Sequence, residues 1–201
     1  MKNILVIESS ISGKNGQSSQ LIAEFTSNLA VSINIDRIDL QQQPLSHLDM
    51  VEMAAWMTPV SERTPEQQAL ASQSDQLIAR VKQADAIVLG VPMYNFGVPS
   101  QLKALFDRIA RAGLTFKYTE NGPVGLLDDK PVFIFATRGG LYQGTDSDSQ
   151  TPFLQQFFHF IGLTELHFIY AEGLNMGEES AGKALTAAKN RIGQLTEQLA
   201  A

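Results

Sequence analysis

The chain contains no cysteine in 201 residues, which removes disulfides, thiolate metal sites, Cys nucleophiles and Cys-ligated iron–sulfur clusters. Any redox chemistry therefore requires a bound cofactor. No apolar run approaches the length of a membrane span, and the N-terminal run Ile4 to Ile7 is too short for a signal h-region. The expected location is the cytoplasm. A basic cluster is also missing: 15 Lys and Arg stand against 21 Asp and Glu, a net charge of -6, so nothing marks a nucleic-acid or anionic membrane surface as a partner. The three histidines, His47, His159 and His167, share no metal-ligand spacing. No Ser-His-Asp set or carboxylate pair is placed for hydrolysis, and no metal is expected.

What is present suits one domain over residues 1–201, with 44% hydrophobic residues supplying a core. Ile4 to Ile7, Ala86 to Val91, Val132 to Ala136 and Leu166 to Tyr170 read as strands buried on both faces, with Ile33-Asn34-Ile35 leading to Ile38 as a weaker edge strand. Helical spacing recurs between them: Leu21, Ile22, Phe25, Leu29; Leu70, Leu77, Ile78, Val81; Leu102, Leu105, Phe106, Ile109; Phe153, Leu154, Phe157, Phe158, Ile161; and a last stripe from Ala181 to Leu199. This β-α alternation predicts an α/β three-layer sandwich, a five-stranded parallel sheet of order 2-1-3-4-5 with helices on both faces. Ligands then bind at the carboxyl ends of strands 1 and 3. Two segments, Gln41 to Pro65 and Gly139 to Gln150, are too long for plain connectors and are expected to form walls, lids or interface.

Three loops fall at that edge. The first, Glu8 to Ser19, is rich in hydroxyls and glycine and leads into a helix near Ser18, which makes an anion site. The simpler alternative is that Ser18 only caps the helix. A Walker A loop would need Gly where Glu8 stands and Ser or Thr where Asn15 stands, and the dinucleotide pattern G-x-G-x-x-G is absent. What remains is a cup for a terminal phosphate monoester, the group FMN carries. The second loop, Pro92-Met93-Tyr94-Asn95-Phe96-Gly97-Val98-Pro99, is apolar and aromatic at the mouth, either a platform for a flat ring or an extension of the core. The third, Thr137-Arg138-Gly139-Gly140, offers backbone donors for developing negative charge, or a hinge. Trp56 with Met50, Met53 and Met57 forms an acceptor pocket or a satellite core.

With these loops assembled, the chain closely resembles the FMN-dependent NADH:azoreductase family, which belongs with the flavodoxin-like NAD(P)H:quinone oxidoreductases. The resemblance covers essentially the full length. It is carried by Pro92-Met93-Tyr94-Asn95-Phe96, by Arg111-Ala112-Gly113 followed by Thr115 to Pro123, by Arg138-Gly139-Gly140 and by Ala171-Glu172-Gly173. It implies FMN contacts at Ser10, Gly16, Gln17, Ser18, Met93, Tyr94, Asn95, Phe96, Thr137, Arg138, Gly139 and Gly140. The family's first loop often has Ser where this chain has Gly16, which exchanges a hydroxyl contact for backbone.

The resemblance further implies a homodimer with active sites at the interface and an acceptor pocket lined by Phe116, Tyr118 and Phe160. The implied activity is two-electron transfer from NADH or NADPH to quinones, and cleavage of azo compounds to amines, by a ping-pong mechanism in which the flavin carries the hydride. No catalytic acid–base pair is then required. A flavodoxin-type electron carrier without its own turnover, or a scaffold that binds no flavin, are the alternatives.

Overall fold

The computed structural model describes residues 2–200, and side chains through residue 197. Leu199, the last position of the C-terminal stripe, lies outside the described side chains. In chain order the elements are β1 (Asn3–Glu8), α1 (Gln17–Ser27), β2 (Asn34–Asp39), α2 (Met50–Met57), α3 (Pro65–Gln83), β3 (Ala86–Pro92) and α4 (Ser100–Ile109). They continue as β4 (Phe116–Thr119), β5 (Gly122–Gly125), β6 (Val132–Thr137), α5 (Gln150–Ile161), β7 (Leu166–Ala171) and α6 (Glu178–Ala200). Five strands form one sheet of order β2-β1-β3-β6-β7, all neighbours parallel, which is the expected 2-1-3-4-5 arrangement.

Alternation along the strands splits the core in two. Leu5 and Ile7 join Leu89, Val91, Ile134 and the apolar stripes of α3, α4 and α5 on one face, while Ile4 and Val6 join Val88, Phe135 and the stripes of α1 and α6 on the other. Each fully buried Leu, Ile or Phe contributes about 1.5–3 kcal/mol, so β3, buried at every position, anchors the molecule. Its carboxyl end is consequently rigid where a ligand would meet it.

Of the two long segments, Gly139 to Gln150 holds no helix or strand before α5 begins at its last residue. Gln41 to Pro65 is more than a loop: it carries α2 and a 3-10 turn at Val60–Glu62. An Asp49 N-cap whose carboxylate accepts from the Glu52 amide starts α2, and a Thr64–Gln67 capping box with Pro65 starts α3. Arg108, fully buried on α4, clamps this excursion by donating to Glu52 Oε2 at 2.6 Å and to the Ser46 carbonyl at 2.8 Å. Phe116 to Tyr118 stays outside this sheet and pairs with Gly122–Gly125 in a separate antiparallel hairpin. Among the described residues, no helix is long and apolar enough to cross a membrane.

Candidate active site

The loops after β1, β3 and β6 converge because those strands are adjacent and parallel. Ser9 Oγ donates to the Gly90 carbonyl at 2.6 Å, tying the first loop to β3. Helix α1 then begins at Gln17, with Gly16 as its N-cap and no side-chain cap. The Gln20 amide finds the Gly16 carbonyl at 3.0 Å, whereas those of Gln17, Ser18 and Ser19 have no partner among the described residues. Ser18 is therefore not the cap. It sits in the first turn, 1% exposed, with an Oγ that has no hydrogen-bond partner. A buried hydroxyl left unpaired costs about 1–3 kcal/mol, and the Ser19 hydroxyl beside it is unpaired as well, so the first turn of α1 carries two polar groups in need of a partner.

Two glycines make this cup possible. A Cβ on Gly90 would lie 2.8 Å from Ile22 Cδ1 and 3.4 Å from Ser18 Cβ, so a bare backbone there lets the first turns of α1 settle on the sheet. A Cβ on Gly16 would lie 2.1 Å from Ser10 Oγ and 2.7 Å from Ser10 Cβ; the hydroxyl often carried by the resembling family has no room here unless the backbone at Ser10 shifts. Free amides at the positive end of a helix, beside an orphan hydroxyl, are an arrangement that favours an anion such as a phosphate.

The loop after β3 leaves the sheet through Met93, whose amide donates to the Thr137 carbonyl at 2.9 Å, and closes on itself between Tyr94 and Gly97 at 2.9 and 3.1 Å. Asn95 (φ 48°) and Phe96 (φ 65°) are both left-handed, which makes a type I′ turn. Asn tolerates this conformation and Phe does not, so the turn stores strain of about 1–2 kcal/mol at Phe96. Neighbours hold it: Ser149 Oγ donates to the Phe96 carbonyl, and Gln150 Nε2 to the Gly97 carbonyl at 3.1 Å. Phe96 remains 54% exposed and Met93 and Tyr94 half-buried; the loop has not joined the core. Tyr94 Oη reaches back to the Ile11 amide at 3.3 Å and to Ser10 Oγ at 3.4 Å, which joins the loop after β3 to the loop after β1.

After β6, the carbonyls of Arg138, Gly139 and Gly140 accept from the amides of Leu174, Asn175 and Gly173 at 3.1, 3.0 and 2.9 Å. The Gly139 and Gly140 amides have no partner among the described residues. Thr137 is buried at the end of β6. The Arg138 side chain points away from this work: fully buried, it pairs with Asp148 and Glu172, each at 3.0 Å, and lies 5.0 Å from the Tyr170 ring. Burial opposes ionisation of Asp148, but the Thr151 amide, the Arg138 guanidinium and the Thr151 hydroxyl hold its carboxyl below the usual carboxylate range. Burial pushes the Tyr170 phenol up.

Phe116, Tyr118 and Phe160 do come together, with ring centroids 4.2 Å apart for Phe116–Phe160 and 5.5 Å for Phe116–Tyr118. They do so at the last turn of α5, beside Ile161, whose carbonyl accepts the Leu127 amide. Since α5 leaves the carboxyl edge of β6 and returns to the amino edge of β7, this cluster sits at the opposite end of the sheet from the three loops. Tyr118 is 74% exposed there. At the mouth itself, an apolar cavity of about 520 Å³ opens between Phe96, Val98, Ala104 and Phe153, with His47 and Gln150 in its wall. The Trp56 ring lies 5.1 Å from the Arg111 guanidinium, while Met50 and Met57 of α2 face solvent, so these residues do not gather into one pocket.

The sequence reading missed Ser149, Gln150, Glu172 and Tyr142, which brace the loops. Glu172 alone left a trace, in the Ala171-Glu172-Gly173 motif. His167 stacks on Phe133 at 5.1 Å and His159 is exposed on α5, and neither approaches the loops.

Residues 2–196 match the family described as having the flavodoxin-like fold, and the chain belongs to it. A curated relative from Alteromonas mediterranea, the FMN-dependent NADH:quinone oxidoreductase, is 54% identical over 98% of this chain and 100% of its own. The protein of the same name from Cellvibrio japonicus is 52% identical over 96% and 98%. At these identities the chain falls, within that family, among the FMN-dependent NADH:quinone oxidoreductases. The structure is also similar to an FMN-dependent NADH-azoreductase from Bacillus anthracis in complex with FMN, with a TM-score of 0.89 and 25% identity over the whole of both chains.

Proposed function

We propose that this chain binds FMN at the three loops and is itself an NADH:quinone oxidoreductase that also reduces aromatic azo compounds. The observation that carries the reading is the orphaned Ser18 hydroxyl beneath three unpaired helix amides, a polar deficit that the FMN phosphate would satisfy. Bound FMN would supply the redox chemistry, taking a hydride equivalent from NADH and passing two electrons to the acceptor in a ping-pong sequence. The residues of the chain bind and orient: Gln17 and Ser18 at the phosphate, Met93 to Phe96 along the ring edge, and the Gly139 and Gly140 amides at its pyrimidine end. Thr137 sets the level of the second and third loops through its carbonyl.

Tyr118 and Phe160, stranded at the far edge of their own protomer, can line an acceptor pocket only at the mouth of a second copy, so the active species is a homodimer. NADH is the expected donor, with NADPH compared directly, and the cytoplasm the expected location. The test is the visible spectrum of the purified protein with FMN, followed by NADH oxidation with a simple quinone. Flavin absorbance with turnover well above that of free FMN is expected. Bound flavin without such turnover would leave an electron carrier; a chain that neither colours nor quenches FMN fluorescence would end the reading altogether.

A further inference from the structure

The Ala171-Glu172-Gly173 motif closes β7 and lies outside the three loops, one of which Glu172 braces. Its carboxylate nevertheless controls the third loop from both ends. One oxygen, Oε1, accepts from Arg138 Nη1 at 3.0 Å, from the Tyr142 amide at 3.0 Å and from the Gln143 amide at 2.9 Å. The residues before and after Gly139-Gly140 thus hang on the same atom. Between these ends, the three carbonyls of residues 138–140 face the 173–175 segment, which leaves the Gly139 and Gly140 amides on the opposite side. Asp148 and Thr151 complete the cage around Arg138, so the guanidinium cannot follow the loop if it moves. Tyr142 in turn meets Phe96 edge-on at 5.5 Å, linking the donor loop to the strained turn.

We propose that Glu172 is the positioning residue for the flavin's pyrimidine edge: by fixing Gly139 and Gly140 it aims their amides where negative charge gathers on the reduced ring, so that the chain binds reduced FMN in preference to oxidised FMN. Preorganised donors act in this way because they need no rearrangement when the charge develops. The proposal rests on the FMN reading above. It carries a sign that a mere charge effect cannot imitate. Removing a carboxylate near the flavin would, through its charge alone, favour the anionic reduced form and raise the potential; loosening the donors lowers it.

The experiment compares wild type, Glu172→Gln and Glu172→Asp as FMN-loaded proteins. Oxidised FMN affinity is read by fluorescence quenching, the two-electron midpoint potential against a reference dye, and folding by circular dichroism. Glu172→Asp retains the charge but is one methylene too short to hold all three donors, so it is expected to weaken reduced FMN about tenfold more than oxidised FMN, a negative shift of about 30 mV for a two-electron couple. Glu172→Gln keeps the length but loses the charge, which opposes the loosening, so its potential is expected to lie above that of Glu172→Asp. A potential that is unchanged or raised in folded Glu172→Asp overturns the proposal, as does loss of folding in both, which would make Glu172 a part of the scaffold. A wild-type chain that binds no FMN removes the functional reading and the proposal together, whereas normal FMN binding with unmoved potentials removes the proposal alone.

Discussion

Replacing Phe96 by Gly separates a ring held out for a ligand from one that belongs to the core. Phe96 lies at φ 65°, where a non-glycine residue costs about 1–2 kcal/mol, and glycine removes that strain. Against the gain, glycine loses more backbone entropy on folding, about 0.5–1 kcal/mol. The edge-on contact with Tyr142 at 5.5 Å is worth about 0.5–1.5 kcal/mol. These terms nearly cancel, because the ring is 54% exposed and little burial is lost. Stability should stay within about 1 kcal/mol of wild type by urea denaturation. FMN affinity, measured by fluorescence quenching, should fall at least about tenfold, since one contact of about 1.4 kcal/mol suffices for that. A core ring would give the reverse, a loss of about 3–5 kcal/mol in stability. That result with unchanged FMN affinity would refute the assignment of this loop to the site.

Removing the buried guanidinium by Arg108→Met leaves Glu52 charged and without a partner, at a cost of about 3–5 kcal/mol. Combining it with Glu52→Leu should recover much of the loss, and strict additivity in the urea double-mutant cycle would show that the pair does not hold α2. Asp148, Asp129 and Asp85 all sit below the usual carboxylate range in the folded chain, so their stabilisation is complete above the unfolded value of about 3.9 and is lost as pH falls through the folded values. Urea midpoints measured from about pH 6 downward should therefore stay flat to about pH 4 and then drop, with a shallower drop in Asp148→Asn; an unchanged slope in that variant would contradict its ion pair with Arg138.

Most of the sheet and helices could be read directly because their apolar residues recur with the period of the element they form. Ala86 to Val91 admits only a strand buried on both faces, and the stripe from Leu102 to Ile109 only a helix lying on one. Less legible was α2, since Met50, Val51, Met53 and Met57 are apolar yet exposed to varying degrees, and their pattern does not name the face that packs. The β4–β5 hairpin was invisible for a different reason: its strands are four residues each and their place depends on α5, far along the chain.

The phosphate cup shows where the boundary lies. Its residues, Ser10 and Gly16 to Ser18, were identifiable from composition and position after the first strand, because hydroxyls and glycines before a helix carry their chemistry locally. That Ser18 is an orphan within the first turn and not a cap depends on Gly90 bringing β3 against α1, a contact between segments far apart in the chain. The same holds for Arg138, whose place in the motif suggested a ligand contact and whose side chain is instead caged by Asp148 and Glu172. Local periodicity and residue chemistry were thus enough to determine which loops meet at the carboxyl edge. Which atoms in those loops remain unpaired, and at which end of the sheet Phe116, Tyr118 and Phe160 lie, was decided only by tertiary packing, because a donor is free only once every competing partner has been placed.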